Sequence, residues 1–195
     1  MTPDPARDEI LTRARAALGR RADSPVVPLP ATAHVAPRIA GSVQSETELL
    51  FSELANLGGT TRRFAGNQDI HSALAQLIET EAVKKATLWQ TPALQELGLE
   101  ESLQELGVEI VSPHSHKVAL AECDLGVTSV DIALPETGTL LLRSSSDRPR
   151  MVSLLPRVHL AIMNPSVLRA DVGEIAEGDV DRAARPHSDG VIVPE

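Results

Sequence analysis

Between residues 42 and 112, amphipathic helical patterns alternate with short apolar runs, and this alternation narrows the choice of fold more than any other property of the sequence. Apolar residues recur at helical spacing over 45–57 and 70–78, which predicts two helices. Ser45 and Glu48 have the spacing of a capping box for the first of them. Short apolar runs predict strands at 60–65, 86–90 and 108–112. Helices and strands that alternate in this way are typical of βαβ units, so we expect an α/β fold with a mostly parallel sheet.

The pattern changes in the second half of the chain. Apolar stretches at 129–133 and 139–142 flank Pro135-Glu-Thr-Gly138, a turn sequence, and predict an antiparallel hairpin. A further buried strand is predicted at 158–163, followed by a helix near 166–175. The fold should therefore combine a mostly parallel sheet with an antiparallel hairpin.

Three segments are predicted along the chain. Residues 1–40 combine an N-terminal helix with a proline-rich linker. Residues 41–178 form the α/β domain. Residues 179–195 are charged and lack periodicity, which predicts an irregular tail.

Composition excludes several classes of protein. The net charge of −9 and the modest clustering of the basic residues argue against binding of duplex nucleic acid. With no Tyr, two Phe and one Trp, the chain lacks aromatic platforms for single strands. The single cysteine, Cys123, cannot form an internal disulfide or supply the four ligands that an iron–sulfur cluster normally needs. No apolar stretch approaches the roughly 18 to 20 residues of a membrane span, and the polar N-terminus is unlike a signal peptide. We therefore expect a cytoplasmic protein with no nucleic-acid or membrane partner.

The turn Glu136-Thr137-Gly138-Thr139 is the first candidate ligand site. A glycine at a turn lets the backbone approach a ligand closely, and neighbouring N–H and hydroxyl groups bind carboxylates or phosphates. The alternative is a hairpin turn in which Gly138 supplies the positive φ and Glu136 is solvated.

Arg148 and Arg150, with Arg143 nearby, form the second candidate, because guanidinium groups bind anions through two parallel hydrogen bonds. The alternative is a solvated loop after an edge strand. We expect this loop and the hairpin turn to form one concave surface that binds a small anionic ligand.

The remaining polar candidates have structural explanations. His114 and His116 have the spacing to reach one metal ion, but a site needs a third ligand, so a solvated loop is favoured and no metal site is predicted. His159 lies within an apolar strand and is expected to be a hydrogen-bonded structural residue. Cys123 is expected to pack as a small hydrophobe. Neither glycine-rich nucleotide-binding pattern is present, and no cofactor is predicted.

Two stretches carry a resemblance to a known family. The first runs from Gly126 to Leu142 and includes Gly-Val-Thr and Glu-Thr-Gly-Thr, and the second, from Arg150 to Leu160, reads Arg-Met-Val-Ser-Leu-Leu-Pro-Arg-Val-His-Leu. Together they resemble the signature of the LUD-domain family, and within it the LutC group of lactate utilization proteins. Weaker similarity extends the match to roughly residues 7–170.

The resemblance implies a three-layer α/β/α fold similar to the NagB/RpiA/CoA transferase-like fold. It also implies an accessory role in L-lactate utilization, the oxidation of lactate to pyruvate together with iron–sulfur partner proteins. Because a glutamate is the nucleophile in related CoA transferases, the resemblance makes Glu136 a candidate catalytic residue.

The C-terminal sequence departs from the family. Many relatives carry a later Gly-Pro-Ser-x-Thr-Ala-Asp-Ile-Glu motif and a Gly-Val-His-Gly-Pro segment, and neither is present after Gly178. Whether the chain is an enzyme therefore stays open. Two alternatives to an accessory subunit remain: a stand-alone enzyme that acts on a sugar-phosphate or acyl-CoA anion through Glu136 with Arg148 or Arg150, and a degenerate regulatory or scaffolding homologue.

Overall fold

Short strands alternate with helices in the computed structural model, which describes residues 5–19, 38–65, 67–171 and 189–194. The helices are α1 (Pro5–Ala17), α2 (Val43–Asn56), α3 (Asn67–Glu81), α4 (Pro92–Glu96), α5 (Leu99–Glu105), α6 (Lys117–Ala121) and α7 (Met151–Leu154). The strands are β1 (Arg62–Ala65), β2 (Lys85–Leu88), β3 (Glu109–Ile110), β4 (Leu125–Ser129), β5 (Ile132–Leu134), β6 (Thr139–Leu141), β7 (Val158–Met163) and β8 (Asp189–Pro194). Turns of 3₁₀ helix lie at Pro135–Thr137 and Pro165–Val167.

The chain divides into two units, residues 1–36 and 37–195. The first contains α1, the helix predicted for the N-terminal segment. Asp8 lies in its first turn and Arg15 in its last, so both charges suit the helix dipole. The second unit contains every other described element.

Six strands of the described chain form one sheet in the order β1-β8-β7-β4-β2-β3. β2 pairs in parallel with both β3 and β4, and β4 pairs in parallel with β7. β8 runs antiparallel to its neighbours β1 and β7. β5 and β6 form a separate antiparallel pair. The predicted α/β fold, with a mostly parallel sheet and an antiparallel hairpin, is confirmed.

Strand residues divide between the two faces of the sheet because their side chains alternate. Leu88, Val127 and Leu160 are register partners on one face, where they share a core with the apolar sides of α3 and α5. Their neighbours Thr87, Gly126 and His159 form the adjacent row and point to the other face. The helices therefore cover the sheet from both sides, in three layers.

The second face carries α2 and the β5–β6 hairpin. Leu50 and Leu54 of α2 pack against Ala161 and Met163 of β7 and against Ala133 of the hairpin. All five are buried. This small aliphatic core holds the hairpin over the carboxyl-terminal half of β7, which fixes the position of the turn between β5 and β6.

The C-terminal prediction is wrong at residues 189–194. The sequence predicts an irregular tail across 179–195, but Asp189–Pro194 is strand β8, inserted between β1 and β7. Residues 179–188 lie outside the described residues. A six-residue strand whose two neighbours lie far away in sequence gives little local signal, so its pairing depends on contacts that periodicity does not reveal.

Three local predictions also differ from the structure. The strand predicted at 129–133 divides between the last residue of β4 and the first residues of β5, so β4 (Leu125–Ser129) was not predicted as a separate strand. The N-cap of α2 is Ser42, whose hydroxyl accepts a hydrogen bond from the N–H of Ser45, so the capping box predicted at Ser45 and Glu48 is not the one used. The helix predicted near 166–175 is a 3₁₀ turn at Pro165–Val167, and its residues after 171 lie outside the described ones.

Within the described ranges, no helix is long and apolar enough to cross a membrane.

Candidate functional site

Residues 143–150, which we call the arginine loop, connect β6 to α7 at the carboxyl ends of β2 and β4. Asp131 follows β4 and Trp89 follows β2, and the N–H of Trp89 still donates to the carbonyl of Val127 at 3.0 Å. Ligands of open α/β sheets bind beyond the carboxyl ends of the strands. The loop therefore lies where a site is expected in this architecture.

Asp131 holds the arginine loop through contacts with Arg143 and Arg148. Its Oδ2 accepts a hydrogen bond from the backbone N–H of Arg143 at 2.7 Å, and its Oδ1 accepts one from Nη1 of Arg148 at 2.8 Å. The Nε atom of Arg143 lies 3.7 Å from the same Oδ1. The carboxylate is 13% exposed, so these contacts are protected from solvent more than an ordinary surface ion pair.

Trp89 holds the other end of the loop. Its indole Nε1 donates to the carbonyl of Pro149 at 3.0 Å, and the guanidinium carbon of Arg148 lies 5.7 Å from its ring centroid. A cation over an indole face is attracted by the ring quadrupole. Arg148 is thus held by a carboxylate at one edge and by an aromatic ring at one face.

Two threonines beside Trp89 have buried hydroxyl groups without a hydrogen-bond partner among the described residues: Thr87 and Thr91. Thr91 is the N-cap residue of α4, with φ −97 and ψ 149, and its side chain makes no capping hydrogen bond. A buried hydroxyl without a partner is destabilising, and it commonly marks a place where water or a ligand binds.

Arg150, the other predicted arginine, lies at the N-cap position of α7. Its side chain is exposed, and its carbonyl accepts hydrogen bonds from the N–H and the hydroxyl of Ser153. The structure therefore places Arg150 at the rim of the loop, outside the contacts that hold Arg148.

The hairpin turn packs against α2. Gly138 has φ +63, a conformation that favours glycine. A Cβ at this position would lie 3.1 Å from Cδ1 of Leu57 and 3.3 Å from the backbone carbonyl carbon of Glu53. The hydroxyls of Thr137 and Thr139 are 2.8 Å apart at the exposed side of the turn. Gly138 is required here by backbone conformation and by close packing.

Glu136 lies beside Arg38. Its side chain is 63% exposed, and its Oε2 lies 3.9 Å from Nε of Arg38. The guanidinium of Arg38 also donates to both carboxylate oxygens of Glu46, and its Nε donates to the carbonyl of Ala170 at 3.2 Å. The backbone N–H of Arg38 donates to Asp171. Arg38 thus joins the start of the domain, α2, the hairpin turn and residues 170–171.

Glu46 is the buried partner of this cluster. The hydrogen bond from Arg38 lowers the pKa of its carboxyl below the ordinary value of 4.5, and the N–H of Gly41, at 2.7 Å, lowers it further, against the effect of burial. The same pairing raises the pKa of Arg38. Both groups therefore stay charged near neutral pH.

The structure does not bring the two predicted groups together. Asp131 and the turn lie at opposite ends of the β5–β6 hairpin, with the register pairs from Ile132–Leu141 to Leu134–Thr139 between them. The three residues of β5 lie between Asp131 and Pro135, so four steps of extended chain, roughly 13 Å, separate the two. The expected single concave surface divides into two: the arginine loop, and the turn with Arg38.

The histidines and the cysteine have structural roles. His116 is the N-cap of α6, where its Nδ1 accepts from the N–H of Ala119 at 3.2 Å. In the part of the chain that the structure describes, no group of three His, Cys, Asp or Glu residues is placed to hold a metal ion. His159 makes the predicted hydrogen bond, with Thr128 at 2.9 Å. Cys123 is buried as predicted, and burial raises the pKa of its thiol.

Because Gly126 has no side chain, the second signature stretch, residues 150–160, can lie directly on strand β4. A Cβ at Gly126 would overlap the carbonyl oxygen of Val152 in α7 and would crowd Pro156. α7 therefore lies directly on β4, and this close contact brings the arginine loop back over Trp89. The two stretches that carry the family resemblance are in contact at this point.

Sequence reasoning missed Asp131, Trp89 and Thr91 as members of the site. Asp131 and Arg148 are 17 residues apart, and Trp89 and Pro149 are 60 apart, so spacing alone does not connect them. The predicted strands at 86–90 and 129–133 included Trp89 and Asp131, whereas in the structure both residues follow strands, β2 and β4, at the edge where α/β proteins bind ligands.

The fold and this site define a layered α/β protein with an arginine-containing loop at the carboxyl ends of parallel strands. Residues 48–181 match the LUD domain, so the chain belongs to the LUD domain family.

Several relatives carry a functional name. Lactate utilization protein C of Shouchella clausii is 33% identical over 110 residues, which cover 55% of this chain and 48% of that protein. Lactate utilization protein C of Halalkalibacterium halodurans is 32% identical over 103 residues, or 51% of this chain and 44% of that protein. The chain thus spans about half the length of these curated relatives. A solved structure of a duf162 family protein from Deinococcus radiodurans is 15% identical, with a TM-score of 0.41, and covers 79% of this chain and 88% of that one.

Proposed function

We propose that this chain acts in L-lactate utilization as an accessory, LutC-like component. It works in the cytoplasm with iron–sulfur partner proteins, which carry the electrons when lactate is oxidised to pyruvate. The observation that carries the proposal is membership of the LUD domain family together with the name of the relatives, lactate utilization protein C.

The need for partners follows from the residues of this chain. Its one cysteine is 3% exposed, and burial raises the pKa of the thiol, so Cys123 is a poor ligand for a cluster. A cluster usually needs four thiolates. The electron carriers of the reaction are therefore assigned to other proteins.

The geometry supports a ligand-binding part in this role. The arginine loop and its anchor contain three arginines and two aspartates, a local net charge of +1 in a chain whose net charge is −9. Lactate and pyruvate are anions, and a fixed guanidinium at the carboxyl ends of parallel strands suits them. Arg148 and Arg150 are the proposed ligand-binding residues of this loop.

Two experiments test the role. Deletion of the gene should abolish or strongly slow growth on L-lactate and leave growth on glucose unchanged. The tagged chain, purified from lactate-grown cells, should carry proteins with the visible absorption of iron–sulfur clusters in about stoichiometric amount. Normal growth of the deletion strain on lactate would overturn the proposal, and a chain that purifies alone would remove the iron–sulfur partners from it.

The second candidate is a stand-alone enzyme on an acyl-CoA or sugar-phosphate anion, with Glu136 as nucleophile and Thr137, Gly138 and Thr139 as binding groups. The observation in its favour is that Glu136 is accessible and next to the guanidinium of Arg38. Intact-mass spectrometry after incubation with acetyl-CoA tests the acyl-CoA form: an adduct on the wild type that E136Q lacks would support it. A degenerate scaffolding homologue, the third candidate, predicts partner binding that survives both E136Q and R148Q.

A further inference from the structure

We propose that Arg148, with the hydroxyl of Thr91, forms a binding site for a small carboxylate that carries a second polar oxygen. The inference deepens the proposed function, on which it rests for the choice of L-lactate as a probe. The site itself is argued from the contacts around Trp89.

The guanidinium of Arg148 retains donors for a ligand. A guanidinium has five N–H groups. Asp131 accepts from Nη1, and Trp89 covers one face, so within the described residues Nη2 and Nε have no hydrogen-bond partner. The side chain is 24% exposed and is therefore reachable from solvent while held in one orientation. A fixed guanidinium loses little conformational freedom when a carboxylate binds.

Asp131 uses only part of the Arg148 guanidinium. Its carboxylate accepts from Nη1 of Arg148 at 2.8 Å and lies 3.7 Å from Nε of Arg143. The two other nitrogens of Arg148, Nε and Nη2, match the two oxygens of a monocarboxylate, while a phosphate would need further donors.

The threonine hydroxyls supply the neutral part of the site. Thr91 lies two residues beyond Trp89 at the carboxyl end of β2, and its Oγ1 is buried with no partner among the described residues. Thr87, two residues before Trp89 and so roughly 7 Å from it along the strand, is fully buried, and its Oγ1 also has no partner among the described residues. A hydroxyl can donate or accept, so it matches a hydroxyl or keto oxygen next to the bound carboxylate.

Trp89 makes the site directly measurable. The chain has one Trp and no Tyr, so its intrinsic emission reports only the ring beneath Arg148. L-lactate and glycolate should change this emission saturably, and acetate, which lacks the second oxygen, should bind at least about tenfold more weakly, the equivalent of one lost hydrogen bond. Inorganic phosphate should compete weakly.

Variants locate the binding. R148Q should abolish the response, with calorimetry as a second readout because the substitution alters the surroundings of Trp89. T91V should weaken L-lactate binding about tenfold and leave acetate binding unchanged. R62Q, which removes an equal charge at an exposed residue whose guanidinium donates to Gln76, should bind as the wild type does.

The outcomes separate this inference from the proposed function. No saturable response to any carboxylate, or a response that survives R148Q in a folded protein, would overturn the site. Equal binding of acetate and L-lactate, or loss of both in T91V, would overturn the part of Thr91. Growth of the deletion strain on lactate bears on the proposed role alone, so the two can fail independently.

Discussion

Arg148 and Asp131 are hydrogen-bonded at 2.8 Å across 17 residues of sequence, and this contact ties the arginine loop to the end of the central strand β4. Because Asp131 also accepts from the N–H of Arg143, one carboxylate determines where the loop begins and where its guanidinium lies. The contact joins the first signature stretch, which contains Asp131, to the loop that leads into the second.

Replacement of Asp131 by Asn should loosen this loop. The variant loses the charge that two guanidinium groups share, and we expect the free energy of unfolding to fall by about 1 to 3 kcal/mol, the range for hydrogen bonds to charged groups. Urea unfolding followed by circular dichroism measures it, with the exposed Asp147→Asn as the matched control. Equal stability of the two variants would contradict the assigned role of Asp131.

Gly126→Ala should displace α7 from β4. The added methyl group would overlap the carbonyl of Val152, so the backbone of α7 or β4 must move. This should lower the free energy of unfolding by about 1 to 3 kcal/mol or more. Gly107→Ala is the comparison, because it has open space around it but a φ of +81. Thermal unfolding should rank G126A below G107A, and the Trp89 emission should change only in G126A.

Gly138→Ala tests the structural part of the hairpin turn. Strain at φ +63 and contact with Leu57 should together destabilise the domain by about 1 to 2 kcal/mol. Asn adopts the left-handed conformation more readily than Ala, but its Cβ would crowd α2 in the same way. Gly138→Asn should therefore recover only part of the stability that Gly138→Ala loses. Full recovery in the Asn variant, measured by urea unfolding, would show that packing against α2 contributes nothing.

Glu46 should make the free energy of unfolding depend on pH in the acidic range. Its pKa in the folded protein is lowered, first by Arg38, so its contribution is complete above the ordinary value of 4.5 and is lost as the pH falls through the lowered pKa. E46Q should therefore be about 1 kcal/mol less stable than the wild type at pH 7, and the difference should shrink below pH 4.5. Urea unfolding between pH 7 and pH 3 tests this, with the exposed Glu48→Gln as control; a constant difference across that range would contradict it.

Local sequence patterns predict the elements whose information is local. α3 and β7 follow from the periodicity of their apolar residues, and the β5–β6 hairpin follows from its turn sequence. Strand β8 was missed because its pairing with β1 and β7 is decided by tertiary contacts. The choice of Ser42 over Ser45 as N-cap has a similar cause, since Arg38 and Gly41 bind Glu46 one residue beyond Ser45.

The candidate site was likewise predicted only where the relevant residues are close together in sequence. Arg148 was predicted as an anion-binding residue because it is an arginine and because Arg143 and Arg150 are close to it in sequence. Its separation from Glu136 was not predictable, because the length and direction of the hairpin decide it. Trp89 and Thr91 enter the site only through the sheet register that places β2 beside β4.

The most direct test of the account is complementation of the deletion strain on L-lactate. The account holds that Arg148 is positioned for a carboxylate that the lactate role requires. It predicts that R62Q restores growth at the wild-type rate and that R148Q, at the same cellular level of folded protein, does not. Growth of the R148Q strain at the wild-type rate would contradict it.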